Sequence, residues 1–217
     1  MALNFAEQGG GAMNSTIVYV IDDEAPMRNS LSNLFRSVGL RVETFATPEA
    51  FLEFKKSNIP SCLILDVRLR GKNGLSFQQE MIARSLHMPI LFMTGYGDME
   101  MCVKAMKAGA LDFFPKPFKD QDMLDAVTQA LARDSQRLAA EESMSSLRAA
   151  YASLTVREQQ VMALVTSGLM NKQIAAEMQL SEITVKVYRG QLMKKMMARS
   201  VAELVHKAEA LRTHPNQ

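Results

Sequence analysis

CLILDVRLRGKNGLS, residues 62–76, is the stretch on which the fold turns. Cys62 to Leu65 are consecutively apolar, which suits a short strand buried on both faces. The run ends on one carboxylate, Asp66. A loop with two glycines, one asparagine and the cations Arg68, Arg70 and Lys72 follows. A strand covered on both faces needs parallel neighbours and helices, so the flanking sequence should alternate in the same way.

It does. Apolar runs recur at IVYVID (17–22), RVETF (41–45), PILFMT (89–94) and LDFFPK (111–116). Between the five runs lie APMRNSLSNLFRSVG, TPEAFLEFKKS, GLSFQQEMIARS and GDMEMCVKAMKAGA. In the first, Met27, Leu31, Leu34, Phe35 and Val38 fall at helical spacing and Gly39 marks the stop. In the last, Met99, Val103 and Met106 do the same before Gly109. Five strands alternating with helices across about 120 residues predict an α/β doubly wound parallel sheet. Ligands of such sheets sit beyond the carboxyl ends of the strands.

Those strand ends carry chemistry. The first finishes in Asp22 and Asp23, the third in Asp66, the fourth in Thr94 and the fifth in Lys116. Three converging carboxylates repel one another unless a cation neutralises them. Oxygen-only ligands favour a hard divalent ion, Mg²⁺ with Mn²⁺ as the alternative. Such an ion and the Lys116 ammonium would neutralise charge on a transferring phosphoryl group. Thr94 would donate to one of its oxygens, and Asp66 would be the nucleophile that becomes an acyl phosphate.

With these motifs in hand (DDE at 22–24, LILDVRL, FMTG and FPKPF), residues 16–135 resemble a response-regulator receiver domain. The resemblance implies strand order 2-1-3-4-5. It implies metal contact by Asp23 and Asp66, with the Arg68 backbone carbonyl as a third ligand and Asp22 acting largely through water. It also implies a cis Lys116–Pro117 peptide and a switch aromatic at Phe113 that moves with Thr94. One position departs from the family: a proline usually stands four residues after the phosphoacceptor, and here Arg70 does.

The remainder of the chain reads as helix. No glycine or proline occurs between Pro117 and Gly168. Leu124, Leu131 and Leu138 recur every seven residues along a long helix, residues 136–153 being its linker portion. That portion reads as a solvated connector, with a partial coiled-coil contact as the alternative. TVRE (155–158) is a capping box opening a helix that Gly168 closes. A second helix starts with Asn171 at its cap, a third at Ser181, and SVAE (200–203) opens a fourth. Helices two and three have helix-turn-helix proportions. On the third, Val185, Tyr188, Leu192 and Met196 share one side. Ile183, Val187, Gly190 and Lys194 share the other, flanked by Lys186. That outward face suits the DNA major groove, with Lys186 for guanine or phosphate and Val187 for a thymine methyl. Thr184, Arg189 and Lys172 are placed near phosphates. LTVRE, NKQIA, TVKV and the closing RS make residues 154–205 similar to a LuxR-type DNA-binding domain, which implies a C-terminal domain over 154–217. Gly190 departs from relatives with a basic residue there.

Charge agrees with this division. Residues 1–150 hold 16 basic and 18 acidic side chains and residues 151–217 hold nine and five, so the basic excess lies in the DNA-binding part. Residues 1–15 read as a flexible lead-in without the features of a secretory signal, and no apolar run is long enough to span a membrane. Cys62 and Cys102 are expected to be buried reduced thiols, consistent with the cytoplasm. The combined resemblance is to the NarL/FixJ family of response regulators. It implies a sensor histidine kinase as phosphodonor, homodimerisation on phosphorylation, and promoter DNA as target. Two other readings stand beside it. A phosphorylation-independent DNA binder would not need the intact acidic set. A metal-dependent small-molecule phosphatase would need a carboxylate two residues after its nucleophile, where Arg68 stands.

Overall fold

The computed structural model of the protein describes residues 16–69, 72–95 and 99–213, with Lys72 and Met99 by backbone alone. The lead-in 1–15 and the Arg70 departure lie outside the described residues. The strands are β1 (Ile17–Ile21), β2 (Arg41–Phe45), β3 (Ser61–Asp66), β4 (Arg68–Leu69), β5 (Lys72–Asn73), β6 (Ile90–Thr94) and β7 (Asp112–Pro115). Five of them form one parallel sheet in the order β2-β1-β3-β6-β7, which is the expected 2-1-3-4-5 counted over those five. The small β4–β5 hairpin was not foreseen, because its two-residue strands carry no periodicity.

Every residue of β1, β3 and β6 is buried, including the polar Ser61, Asp66 and Thr94 at the strand ends. Alternate side chains point to opposite faces and build two cores. On one face Val18, Val20, Ile64, Leu91 and Met93 meet α1 (Ala25–Ser37) and the start of α5 (Asp120–Ala152) through Leu31, Phe35, Met123, Val127 and Leu131. On the other, Tyr19, Ile21, Leu63, Leu65 and Phe92 meet Phe51 of α2 (Pro48–Glu53), Phe77 and Met81 of α3 (Gly74–Ala83) and Ala105 of α4 (Met99–Lys107). Each fully buried large side chain contributes roughly 1.5–3 kcal/mol of burial free energy.

One alternative loses its support and one expectation is corrected here. Leu131 is buried in the first core and Leu124 packs against it, so neither is free for the helix–helix contact that was the alternative to a solvated connector. Cys102 is only partly buried, because α4 lies at the surface, whereas Cys62 is fully enclosed. Burial, with the Asp134 charge adding to it, pushes the Cys62 thiol far above its usual range.

Farther along α5, the buried Asp134 ties the helix to the sheet. Its Oδ2 accepts from the Ser61 backbone N–H at 2.8 Å, and Arg137 Nε donates to Oδ1 at 2.8 Å. The first residue of β3 is thereby anchored, and Asp66 is the last residue of the same strand.

Contacts divide the chain into two compact units, residues 1–138 and 139–217. In the second unit α6 (Val156–Thr166), α7 (Asn171–Met178), α8 (Glu182–Lys195) and α9 (Val201–Thr213) surround a core that includes Val161, Ile174, Val185, Leu192 and Leu204. The Thr155–Glu158 capping box is present in both directions. Ser181 Oγ accepts from the Thr184 N–H at 3.1 Å and caps α8 as expected. Asn171 is not the cap of α7. It is the first helical residue, and the Gln173 carboxamide returns to the Met170 N–H at 2.8 Å. At the start of α9, Ser200 caps the Glu203 N–H, while the Glu203 carboxylate reaches the Arg199 N–H one residue farther back.

Candidate functional site

Parallel register decides which side chains converge. Ile21 pairs with Leu65, Asp66 with Met93 and Thr94 with Pro115. The residues leaving β1, β3, β6 and β7 therefore reach the same sheet edge at nearly the same height. Carboxylate oxygens of Asp22, Asp23 and Asp66 all lie within 4.8 Å of one another. Asp22 and Thr94 are fully buried, Asp66 nearly so, and Asp23 is partly exposed.

Lys116 joins the group across the sheet. Its ammonium donates to Asp22 Oδ2 at 2.7 Å and to Asp66 Oδ2 at 2.9 Å. The backbone holds it there. The Lys116 N–H donates to the Thr94 carbonyl at 2.7 Å, and the Lys116–Pro117 peptide is cis. Each acid also has a backbone donor: the Glu24 N–H reaches Asp22 Oδ1 at 2.8 Å, and the Arg68 N–H reaches Asp66 Oδ1 at 3.1 Å. Arg28 donates to the Asp22 carbonyl at 2.7 Å and pins the loop after β1.

Electrostatics follow from this enclosure. Burial raises the Asp66 pKa above its ordinary value; the Asp22 charge adds to the rise, while Lys116 and the Arg68 N–H oppose it. Burial works to lower the Lys116 pKa, but its bonds to Asp22 and Asp66 outweigh that, and the net shift is upward. Phe113, in β7 opposite Phe92, is half-buried against the second core.

The second unit presents a different surface. On α8, Val185 and Leu192 are buried and Tyr188 packs against the core. Ile183 and Val187 are 78% and 53% exposed, and Lys186, Gly190 and Lys194 are exposed beside them. Lys172 is exposed near the start of α7, and the Thr184 hydroxyl sits 2.8 Å from Ser181 Oγ. Arg189 has a partner of its own: its guanidinium donates to Asn171 Oδ1 at 2.8 Å, joining α8 to α7. Lys195 is held by Glu158 at 2.7 Å and stands apart from the exposed face.

Comparison with known proteins agrees with both halves. Residues 18–128 match the response regulator receiver domain, and residues 152–208 match the luxR family of bacterial regulatory proteins. The chain is 52% identical over 206 residues to nodulation protein W of Bradyrhizobium diazoefficiens, covering 94% of this chain and 91% of that one. The chain belongs to the response regulators. The transcriptional regulatory protein FixJ of the same organism is 43% identical, covering 88% of this response regulator and 93% of its own length. Among solved structures, the response regulator StyR superposes with a TM-score of 0.83 at 46% identity, covering 90% of this chain and 98% of that one. The protein is thus a response-regulator transcription factor, with a receiver domain and a LuxR-type DNA-binding domain.

The contacts of three supporting residues of this response regulator escaped sequence reasoning, although Glu24 stands in the DDE motif. Glu24 and Arg28 act through a backbone N–H and a contact to a carbonyl, neither of which leaves a side-chain signature. Gly74 starts α3 directly beneath the strand end. A Cβ built on it would lie 2.5 Å from the Asp66 carbonyl oxygen and 3.1 Å from Val67 Cα. The second glycine of the loop in the opening stretch was its only signal.

Proposed function

We propose that Asp66 accepts a phosphoryl group from the phosphohistidine of a sensor kinase, and that the modification controls dimerisation and promoter binding. The observation that carries this reading is the Lys116 ammonium set between Asp22 and Asp66, with Asp23 alongside, at the carboxyl edge of the sheet. One Asp66 oxygen attacks phosphorus, the P–N bond to the imidazole breaks, and the acyl phosphate P–O bond forms. The imidazole takes a proton as it leaves.

The donor set fits a hard divalent cation, since one lysine cannot neutralise three carboxylates. Asp22, Asp23, Asp66 and the Arg68 carbonyl would hold Mg²⁺ or Mn²⁺, which when bound withdraws charge from the phosphoryl oxygens. Lys116 then exchanges a carboxylate oxygen for a phosphoryl oxygen. Thr94, buried at the end of β6, supplies a hydroxyl donor, and Phe113 follows it inward. The neighbouring α4–β7 surface, where Val103 and Met106 are 45% and 44% exposed, becomes the dimer contact.

Paired C-terminal domains then engage two DNA half-sites. Ile183 and Val187 meet thymine methyls, and Lys186 and Lys194 meet base edges or phosphates. Gly190 leaves the backbone free to approach, and Lys172 and Thr184 border the groove. Arg189 holds α7 against α8 through Asn171. A cytoplasmic site of action follows from the DNA target; among the described residues no helix is long and apolar enough to cross a membrane.

The test measures mass in solution and binding to a promoter fragment, with and without beryllofluoride and Mg²⁺, for this chain and Asp66→Ala. Dimerisation and tighter DNA binding only in the treated unsubstituted chain are expected. Identical behaviour in all four samples would remove the phosphorylation switch.

A further inference from the structure

The outward stripe of α8 is uneven in its chemistry. Ile183, Val187, Gly190 and Lys194 follow one another at helical spacing over about 16 Å. Ile183 and Val187 are the exposed large apolar side chains of α8, at 78% and 53%. The core beneath is closed by Val185 and Leu192 from the opposite side of the helix, so neither exposed residue is needed there. Ser181 Oγ accepts from the Thr184 N–H at 3.1 Å and fixes the first turn, which carries Ile183.

Base edges are contacted from the first turns of a recognition helix. There the outward face offers Ile183, Lys186 and Val187, all exposed. Glu182 lies about 100° away from Ile183 round the helix. Arg189, whose fork suits guanine, is turned to Asn171 at 2.8 Å. Gln191, whose amide suits adenine, is exposed one turn beyond Val187. Gly190 leaves the middle of the stripe bare, since a Cβ built on it has nothing within 4 Å. The backbone there can approach base edges more closely than a larger side chain would allow, and Val187 is carried down with it.

An apolar side chain gains nothing from a phosphate, or from a donor or acceptor on a base edge. The C5 methyl of thymine is the apolar group that the major groove displays. Cβ atoms four residues apart on a helix are about 5–6 Å apart, and successive bases about 3.4 Å. Ile183 and Val187 together therefore span one or two base steps.

We infer that α8 selects its DNA by C5-methyl groups at two pyrimidine positions, one or two base steps apart, in each half-site. The inference rests on the proposed role of α8 in the major groove and adds what that groove must display. Cytosine methylated at C5 carries the same methyl at the same ring position. Methylation of cytosine at either position would strengthen binding, so the regulator would distinguish methylated from unmethylated promoters. Lys186, next to Val187, serves a guanine edge or a phosphate in both cases.

The experiment uses the full chain with beryllofluoride and Mg²⁺, and begins with a random-sequence duplex pool. The sequence that the chain enriches is resynthesised with uracil for each thymine in turn, and with cytosine or 5-methylcytosine at the positions that respond. Two thymines per half-site should respond, each losing about fourfold in affinity as uracil, the worth of one buried methyl. At those positions 5-methylcytosine should bind about fourfold tighter than cytosine. Ile183→Ala, an exposed change to a good helix former, should abolish the response at one thymine and keep the other. Val187→Ala should do the reverse. A selected site indifferent to uracil at every thymine overturns the inference and leaves DNA binding by α8 standing. So does a uracil response that survives in both variants, because the methyl would then act through DNA shape. Enrichment of no sequence by the activated chain would overturn the proposed function itself, and this inference with it.

Discussion

Replacing a helical glycine by alanine has opposite consequences at two places in this chain, and the contrast tests the geometry of the site directly. At Gly74 the added methyl carbon would stand 2.5 Å from the Asp66 carbonyl oxygen, well inside the 3.4 Å at which ordinary contact begins. β3 cannot retreat, because β1 and β6 flank it and the Val67 N–H is bonded to the Met93 carbonyl at 2.9 Å. The start of α3 must move instead, stretching the 2.9 Å bond from the Gly74 N–H to the Val67 carbonyl. Overpacking of this kind costs about 1–3 kcal/mol and a weakened hydrogen bond about 0.5–1.5 kcal/mol. Alanine's helix preference returns at most about 1 kcal/mol. The expected net loss for Gly74→Ala is about 1–3 kcal/mol, with slower phosphoryl uptake from acetyl phosphate because the Asp66 backbone is displaced. At Gly190, in the exposed middle of α8, nothing lies within 4 Å of the new carbon. Gly190→Ala should stabilise the DNA-binding unit by about 0.5–1 kcal/mol. Urea denaturation of the full chain, followed by a probe in each unit, measures both. A Gly74→Ala protein as stable as the unsubstituted chain would refute the close approach on which the argument rests.

Other consequences concern charge. Lys116→Met strands the Asp22 and Asp66 carboxylates, and the loss at pH 7 should be on the order of 3 kcal/mol. That deficit should shrink on acidification in urea melts. Burial already raises the Asp66 pKa, so the native state takes up a proton before the unfolded chain does and gains stability as pH falls. Glu158 has the opposite sign: its bond to Lys195, then the Thr155 N–H, lower its pKa. Its contribution is complete above the unfolded carboxylate value of about 4.3 and is lost as pH falls through the folded one, so Glu158→Gln should flatten the acid melt of the second unit. A double-mutant cycle on Asn171 and Arg189 should return a coupling of about 0.5–1.5 kcal/mol in stability; zero coupling would return Arg189 to the groove.

Much of this protein is readable from local pattern. Consecutive apolar residues at 17–21 and 62–65, too short for helices and repeated between amphipathic segments, suit strands covered on both faces, and that requirement carries the parallel sheet with it. The strand ends then name Asp22, Asp23, Asp66, Thr94 and Lys116, because parallel strands present their carboxyl ends together. The α8 wheel likewise separates Val185 and Leu192 from Ile183 and Val187, since a helix face is set by spacing alone. Tertiary structure alone decided matters that depend on which atoms meet across the fold. Lys116 bridges two acids through residues 94 and 50 positions away in the chain. Gly74 must be bare because of a carbonyl on another element. Arg189 faces Asn171, and Leu131 faces the sheet although its seven-residue spacing fits a seam equally well. Periodicity tells which side of an element is apolar, but it carries no information about what that side will touch.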